Sequence, residues 1–140
     1  MSICCEIVTQ DKIVYDGGAD MVILPGVSGV MGILPNHAPL LSLLKTGMIA
    51  ITINGKDLYF SVKGGIVEVQ PDQVTVLTDG ADDARDMDLS AIEIEISKTK
   101  ELLEQTAKTD KDTIRTLLEL QRYLEVKVKA VNKYQSRILE

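Results

Sequence analysis

The chain has no tryptophan, one phenylalanine and one histidine. Stacking platforms for bases are therefore scarce. A net charge of -6 also argues against a nucleic-acid surface, because neutralising phosphates takes a clustered excess of lysine and arginine. No apolar run approaches the roughly 20 residues needed to span a bilayer, since Pro, Lys or Asp breaks each one early. The amino-terminal Met-Ser-Ile-Cys-Cys-Glu has neither a basic start nor a hydrophobic signal core. A cytosolic chain is expected, reaching a membrane only through other proteins. Cys4 and Cys5 are the only cysteines, and neighbours on a strand point to opposite faces. Reduced thiols are expected, with no disulfide and no metal site. Gly-x-Ser-x-Gly, a phosphate loop, a dinucleotide fingerprint and zinc spacing are all missing. With one histidine and no nucleophile motif, the chain is not expected to be an enzyme, and no cofactor is expected.

Glycine and proline are also missing from everything after Gly80. All ten glycines and all four prolines lie at or before Gly80. Turn-punctuated sequence followed by unbroken, highly charged sequence predicts a β unit followed by helices. The boundary is placed at 84/85, giving an all-β amino-terminal sandwich over 1–84 and a carboxy-terminal α-helical hairpin over 85–140. Ile3 to Thr9, Lys12 to Asp16, Asp20 to Leu24, Met48 to Ile53, Lys56 to Val62, Ile66 to Gln70 and Gln73 to Thr78 read as strands. Asn54-Gly55 tolerates the positive φ angles of a two-residue turn, so Met48 to Ile53 should pair with Lys56 to Val62. The stretch from Pro25 to Gly32 reads as a loop between strands.

From Asp88 onward the apolar period changes to three and four, with Leu89, Ile92, Ile96, Thr99 and Leu103 lining one face of a helix. Ser90 followed by Glu93 fits a capping box, as does Thr109 with Asp112 for a second helix running to about Leu139. Ile114, Leu117, Leu118, Leu124, Val128 and Val131 share a side of that helix, which Tyr134 and Ile138 extend. The hairpin carries a charge split. From Ala81 to Asp112 ten acids face five bases, whereas from Thr113 to Leu139 only Glu119 and Glu125 oppose six bases.

Four segments occur in order within residues 32–77: Gly32-Ile33-Leu34-Pro35-Asn36-His37-Ala38-Pro39-Leu40-Leu41, Lys45-Thr46-Gly47, Gly64-Gly65-Ile66-Val67-Glu68-Val69 and Val74-Thr75-Val76-Leu77. On these the chain resembles the epsilon subunit of the rotary F-type ATP synthases. The second half matches that family by type rather than by motif. The resemblance implies the same sandwich and a mechanical role in the central stalk, joining the gamma subunit to the proton- or sodium-driven c-ring. It sets the stretch holding Gly29, Val30, Met31, Gly32 and His37 against the c-ring, although Val30 is apolar where many bacterial members are acidic. It also implies that the second helix can extend along gamma toward the catalytic alpha/beta head and block hydrolysis, with Arg115, Arg122, Lys127 and Lys129 meeting acidic residues of beta. The implied location is the cytoplasmic face of the bacterial inner membrane, peripheral, without membrane insertion.

Some members of that family bind ATP through Ile/Leu-Asp-x-x-Arg-Ala at the start of the first helix. Here Asp88 matches, but Ala91 and Ile92 stand where the arginine and alanine belong. A phosphate would lose a charge-assisted donor pair, so weak or absent ATP binding is expected. His37 lies between two prolines, where contact with its loop or a partner is a better reading than catalysis. The residues alone also leave open a free nucleotide-sensing or small-ligand-binding module on a β-sandwich.

Overall fold

The computed structural model describes residues 2–138, apart from the side chain of Ile138. Leu139, where the second helix was expected to end, and the extension by the Ile138 side chain lie outside the described residues. Among the described residues eight strands come first, then two helices: β1 Ile3–Val8, β2 Ile13–Ala19, β3 Met21–Gly26, β4 Gly29–Ile33, β5 Leu40–Ile53, β6 Lys56–Val69, β7 Gln73–Leu77 and β8 Ala81–Asp83. A 3-10 turn at Ala84–Asp86 leads into α1 Leu89–Gln105 and α2 Lys111–Ile138.

The strands run in the order β2-β1-β7-β6-β5-β3-β4, with β8 added beside β6. All pairs are antiparallel except β1 with β7. The 14-residue strands β5 and β6 belong to both layers. Their Leu40 to Leu44 and Gly65 to Val69 halves lie beside β7, β1 and β2, while their Met48 to Ile53 and Lys56 to Ser61 halves lie beside β3, β4 and β8. Ile7, Val22, Phe60 and Val74 share one fully buried core, which requires the sheet to fold over on itself. Tyr15 of β2 meets Phe60 of β6 edge-to-face with ring centroids 5.5 Å apart.

Glycine makes the fold-over possible. Gly64 and Gly65 have φ of +72° and +137°, and a Cβ on Gly65 would lie 2.1 Å from the Leu77 carbonyl oxygen. The chain therefore turns the corner without leaving the ladder. This corrects the sequence reading, which split β6 at Lys63-Gly64-Gly65 and started β5 only at Met48. The Pro25 to Gly32 stretch is likewise a β-hairpin rather than a loop, with β3 and β4 paired from Val22↔Ile33 to Gly26↔Gly29. β4 is an edge strand, where glycines are tolerated because one side of the ladder stays open. The expected Asn54-Gly55 hairpin is present, with φ of 52° and 75° at the two turn residues.

α1 is capped by Asp88, whose side chain accepts from the Ser90 N–H at 3.0 Å, and not by Ser90 itself. Asp110 caps α2 by accepting from the Thr113 N–H at 3.2 Å, in place of the expected Thr109. In both cases a carboxylate two or three residues before the amide wins, adding favourable charge at the helix start. α2 lies across β6 and β5, and α1 packs on α2 through Ile92, Leu124 and Val131. The expected α1 face holds, with Ile92 and Thr99 buried. On α2 the expected Leu118 is 50% exposed, whereas Tyr123 and Ala130, which were not expected, are buried.

Candidate functional site

No helix among the described residues is long and apolar enough to cross a membrane. The surface is better described by what covers each side of the sandwich. On the outer face of the β2-β1-β7-β6-β5 layer, strand register places Leu43 opposite Ile66, Ile66 opposite Leu77, Leu77 opposite Val8 and Val8 opposite Ile13. This row runs across five strands. Leu43, Ile66, Leu77 and Ile13 are 58%, 43%, 53% and 59% exposed. Val27 continues the row at one end through its N–H to the Leu43 carbonyl, 3.1 Å. The adjacent row is acidic, since Glu68 lies opposite Thr75, Thr75 opposite Glu6 and Glu6 opposite Asp16. A contiguous aliphatic stripe of this kind on a small domain is a feature of interaction surfaces.

At the tip of the β3–β4 hairpin Val27 and Val30 stand out into solvent, Val30 at 74% exposure. Gly29 has φ of +138°, where a side chain would be strained. Met31, expected on the contact side, instead packs against the core. His37 occupies the loop after β4. Its N–H donates to the Leu34 carbonyl at 3.2 Å and its Nδ1 lies 2.7 Å from the Ala38 oxygen, while Asn36 ties the loop to Pro71. The bonds of His37 thus stay within its own loop and do not reach Gly29 to Gly32.

The four bases expected to act together are not equivalent. Arg115 pairs with Asp112 on its own helix at 3.0 Å, both exposed. Such a surface pair stabilises little. Arg122 and Lys129 are exposed. Lys127 is only 18% exposed, with Nζ 3.6 Å from Asp82 of β8. Beside it Tyr123 donates its hydroxyl to Asp82 at 2.5 Å and accepts from the Ser61 hydroxyl at 2.9 Å. Burial, then the Asp82 bond, pushes the Tyr123 hydroxyl above the usual phenol range, and the Ser61 bond opposes the rise. Sequence reasoning missed Ser61, Asp82 and Tyr123 because their polar side chains, 41 and 62 residues apart, read singly as solvated.

The groove between the sandwich and α2, about 580 Å³, is lined by Lys63 and Arg122 against Asp79 and Glu119. Equal numbers of bases and acids give a phosphate no net attraction. Asp88, the residue kept from the nucleotide pattern, is engaged as the α1 cap.

Residues 2–84 match the family model described as ATP synthase, Delta/Epsilon chain, beta-sandwich domain. An ATP synthase epsilon chain from Neisseria meningitidis is 41% identical over 108 residues, covering 76% of each chain. This chain belongs to the ATP synthase epsilon family. Another epsilon chain, from Acidithiobacillus ferridurans, is 48% identical over 88 residues, which are 63% of this chain and 62% of the relative. The match thus spans less than two thirds of that relative's length. Among solved structures, a chain in the Euglena gracilis mitochondrial ATP synthase, in an assembly described as OSCP/F1/c-ring, superposes with TM-score 0.71 at 18% identity. That superposition covers 89% of this chain and 79% of the other. One from a Tetrahymena thermophila central stalk/c-ring structure gives 0.57 at 14% identity, over 94% and 97%. At these identities the two structures speak for the fold alone.

Proposed function

We propose that this epsilon-family chain is a non-catalytic, central-stalk subunit of a rotary ATP synthase, fastening gamma to the c-ring on the cytoplasmic face of the bacterial inner membrane. The observation that carries the reading is the exposed row from Leu43 to Ile13 beside the acidic row of Glu68, Glu6 and Asp16. Gamma is the partner assigned to this face, and its matching surface should be an aliphatic ridge flanked by basic residues. Burying such a row removes several aliphatic side chains from water, at roughly 25 cal/mol per Å² of apolar surface. The c-ring side falls to the β3–β4 tip, where Val27 and Val30 offer apolar contact in place of charge. His37 adds a contact from the neighbouring loop. The hairpin is the regulatory part. Raised from the sandwich, it presents Arg115, Arg122, Lys127 and Lys129 to acidic residues of the catalytic head and restrains hydrolysis.

Capture of gamma by the chain truncated after Met87 tests the division of labour. That cut keeps β8 and removes both helices. Gamma should be retained, and its loss would overturn the assignment of coupling to the sandwich. Replacing Arg115, Arg122, Lys127 and Lys129 by Ala in the assembled enzyme should raise ATP hydrolysis at low salt, where exposed charges act most strongly. ATP with magnesium should give no calorimetric signal on the isolated chain, since Asp88 caps α1 and Ala91 supplies no guanidinium. A tight complex would favour a nucleotide sensor instead.

A further inference from the structure

We infer that Asp82 is the catch that holds the hairpin against the sandwich, and that Lys127 exchanges Asp82 for an outside acidic partner when the hairpin leaves. The inference deepens the proposed regulatory role and rests on a hairpin that can detach.

The catch joins three groups of the sandwich to two groups of α2 that lie one helical turn apart. Ser61 and Lys63 come from β6 and Asp82 from β8, while Tyr123 and Lys127 come from α2. Asp82 Oδ2 serves both α2 groups at once, accepting from the Tyr123 hydroxyl at 2.5 Å and lying 3.6 Å from Lys127 Nζ. Ser61 is fully buried and donates to Tyr123. Lys63 and Lys127 hold their Nζ atoms 4.8 and 5.7 Å from the centre of the Tyr123 ring. Among the described residues no buried side-chain nitrogen or oxygen lacks a partner while the hairpin is docked. On release, water can take over each hydrogen bond, so the network fixes where α2 sits without a large net gain. That is the energetic requirement for a joint that opens.

Lys127 is what makes release and capture exclusive. While docked it is largely covered and neutralises Asp82, and its ammonium becomes available only when α2 lifts away. The other three bases are exposed already, or paired within α2. Removing Asp82 therefore weakens the docked state alone, whereas removing Lys127 weakens both the docked state and the raised contact.

Hydrogen-exchange mass spectrometry on the full-length chain tests this without gamma or the c-ring, so its failure is separable from failure of the stalk reading. Asp82→Ala and Tyr123→Phe should each speed exchange of the α1 and α2 amides by about tenfold, while β1 and β7 amides keep their rates. Asp82→Asn keeps an acceptor for Tyr123 and should show an intermediate effect. It should also lose the acceleration that raising salt produces in the parent chain. Unchanged helix exchange in these variants would overturn the inference. Equal acceleration in β1 and β7 would overturn it too, by showing general destabilisation. In the assembled enzyme Asp82→Ala should deepen inhibition of hydrolysis and Lys127→Ala should relieve it, and the same sign for both would remove Lys127 from its exchange of partners.

Discussion

The two outer faces of the sandwich invert the usual rule. The face that α2 covers is short and mixes polar with apolar side chains. Its β5–β6 rows are Met48 opposite Ser61, Ala50 opposite Tyr59, and Thr52 opposite Asp57, with the Thr52 hydroxyl donating to Asp57 at 2.6 Å. The face left bare carries Leu43, Ile66, Leu77 and Ile13. A chain optimising itself alone would cover the aliphatic face and expose the mixed one. On the proposed reading, the internal contact is made to come apart, while the bare face is made for a partner that stays. Polar contacts exchange with water at little net gain, whereas an aliphatic row returned to water loses its whole burial energy.

The change with the largest expected effect erases both faces. Gly65→Ala places a methyl against the Leu77 carbonyl at a φ of +137° and should cost at least about 3 kcal/mol of unfolding free energy, read by urea denaturation. Next come paired substitutions that separate the faces. Leu124→Ala empties the buried contact between α2 and α1 and should cost about 2 to 4 kcal/mol in helix unfolding, with gamma capture retained. Leu43→Asp should do the reverse, changing stability by less than about 0.5 kcal/mol while weakening gamma binding by about 2 kcal/mol or more. If both variants lose gamma equally, the faces are not divided as described. The smallest effect is chemical. Cys4 is exposed and Cys5 is buried with its thiol pushed up to about 12, mainly by burial, so alkylation at pH 8 should label Cys4 alone. Gamma should then slow labelling of Cys4, which lies on the bare side of β1, and leave Cys5 unlabelled.

Much of this architecture is legible in the sequence wherever the signal is local. Asn54-Gly55 marks its hairpin because positive φ at two successive residues suits few other pairs. The helices show through their apolar spacing and the end of glycine and proline after Gly80. Signals that depend on tertiary pairing are not legible. Gly64-Gly65 reads as a break because glycine ends most strands, yet here the absence of Cβ lets β6 pass beneath Leu77. Residues 13, 43, 66 and 77 form one row only after four separate registers are known. Tyr123 and Asp82 follow the same logic, since a hydroxyl and a carboxylate on a helix and a short strand look hydrated until packing brings them together.

The parallel pairing of β1 with β7 has a consequence for biosynthesis. β1 lies between β2, a short turn away, and β7, which begins at Gln73. Within this chain β1 therefore waits for a strand made some 65 residues later before its second edge is filled, and such long-range closure is slow. Until then β1 carries an open ladder with Ile3, Cys5 and Ile7 unshielded. The nascent chain is most in need of a holding chaperone during that interval, before either helix has been translated.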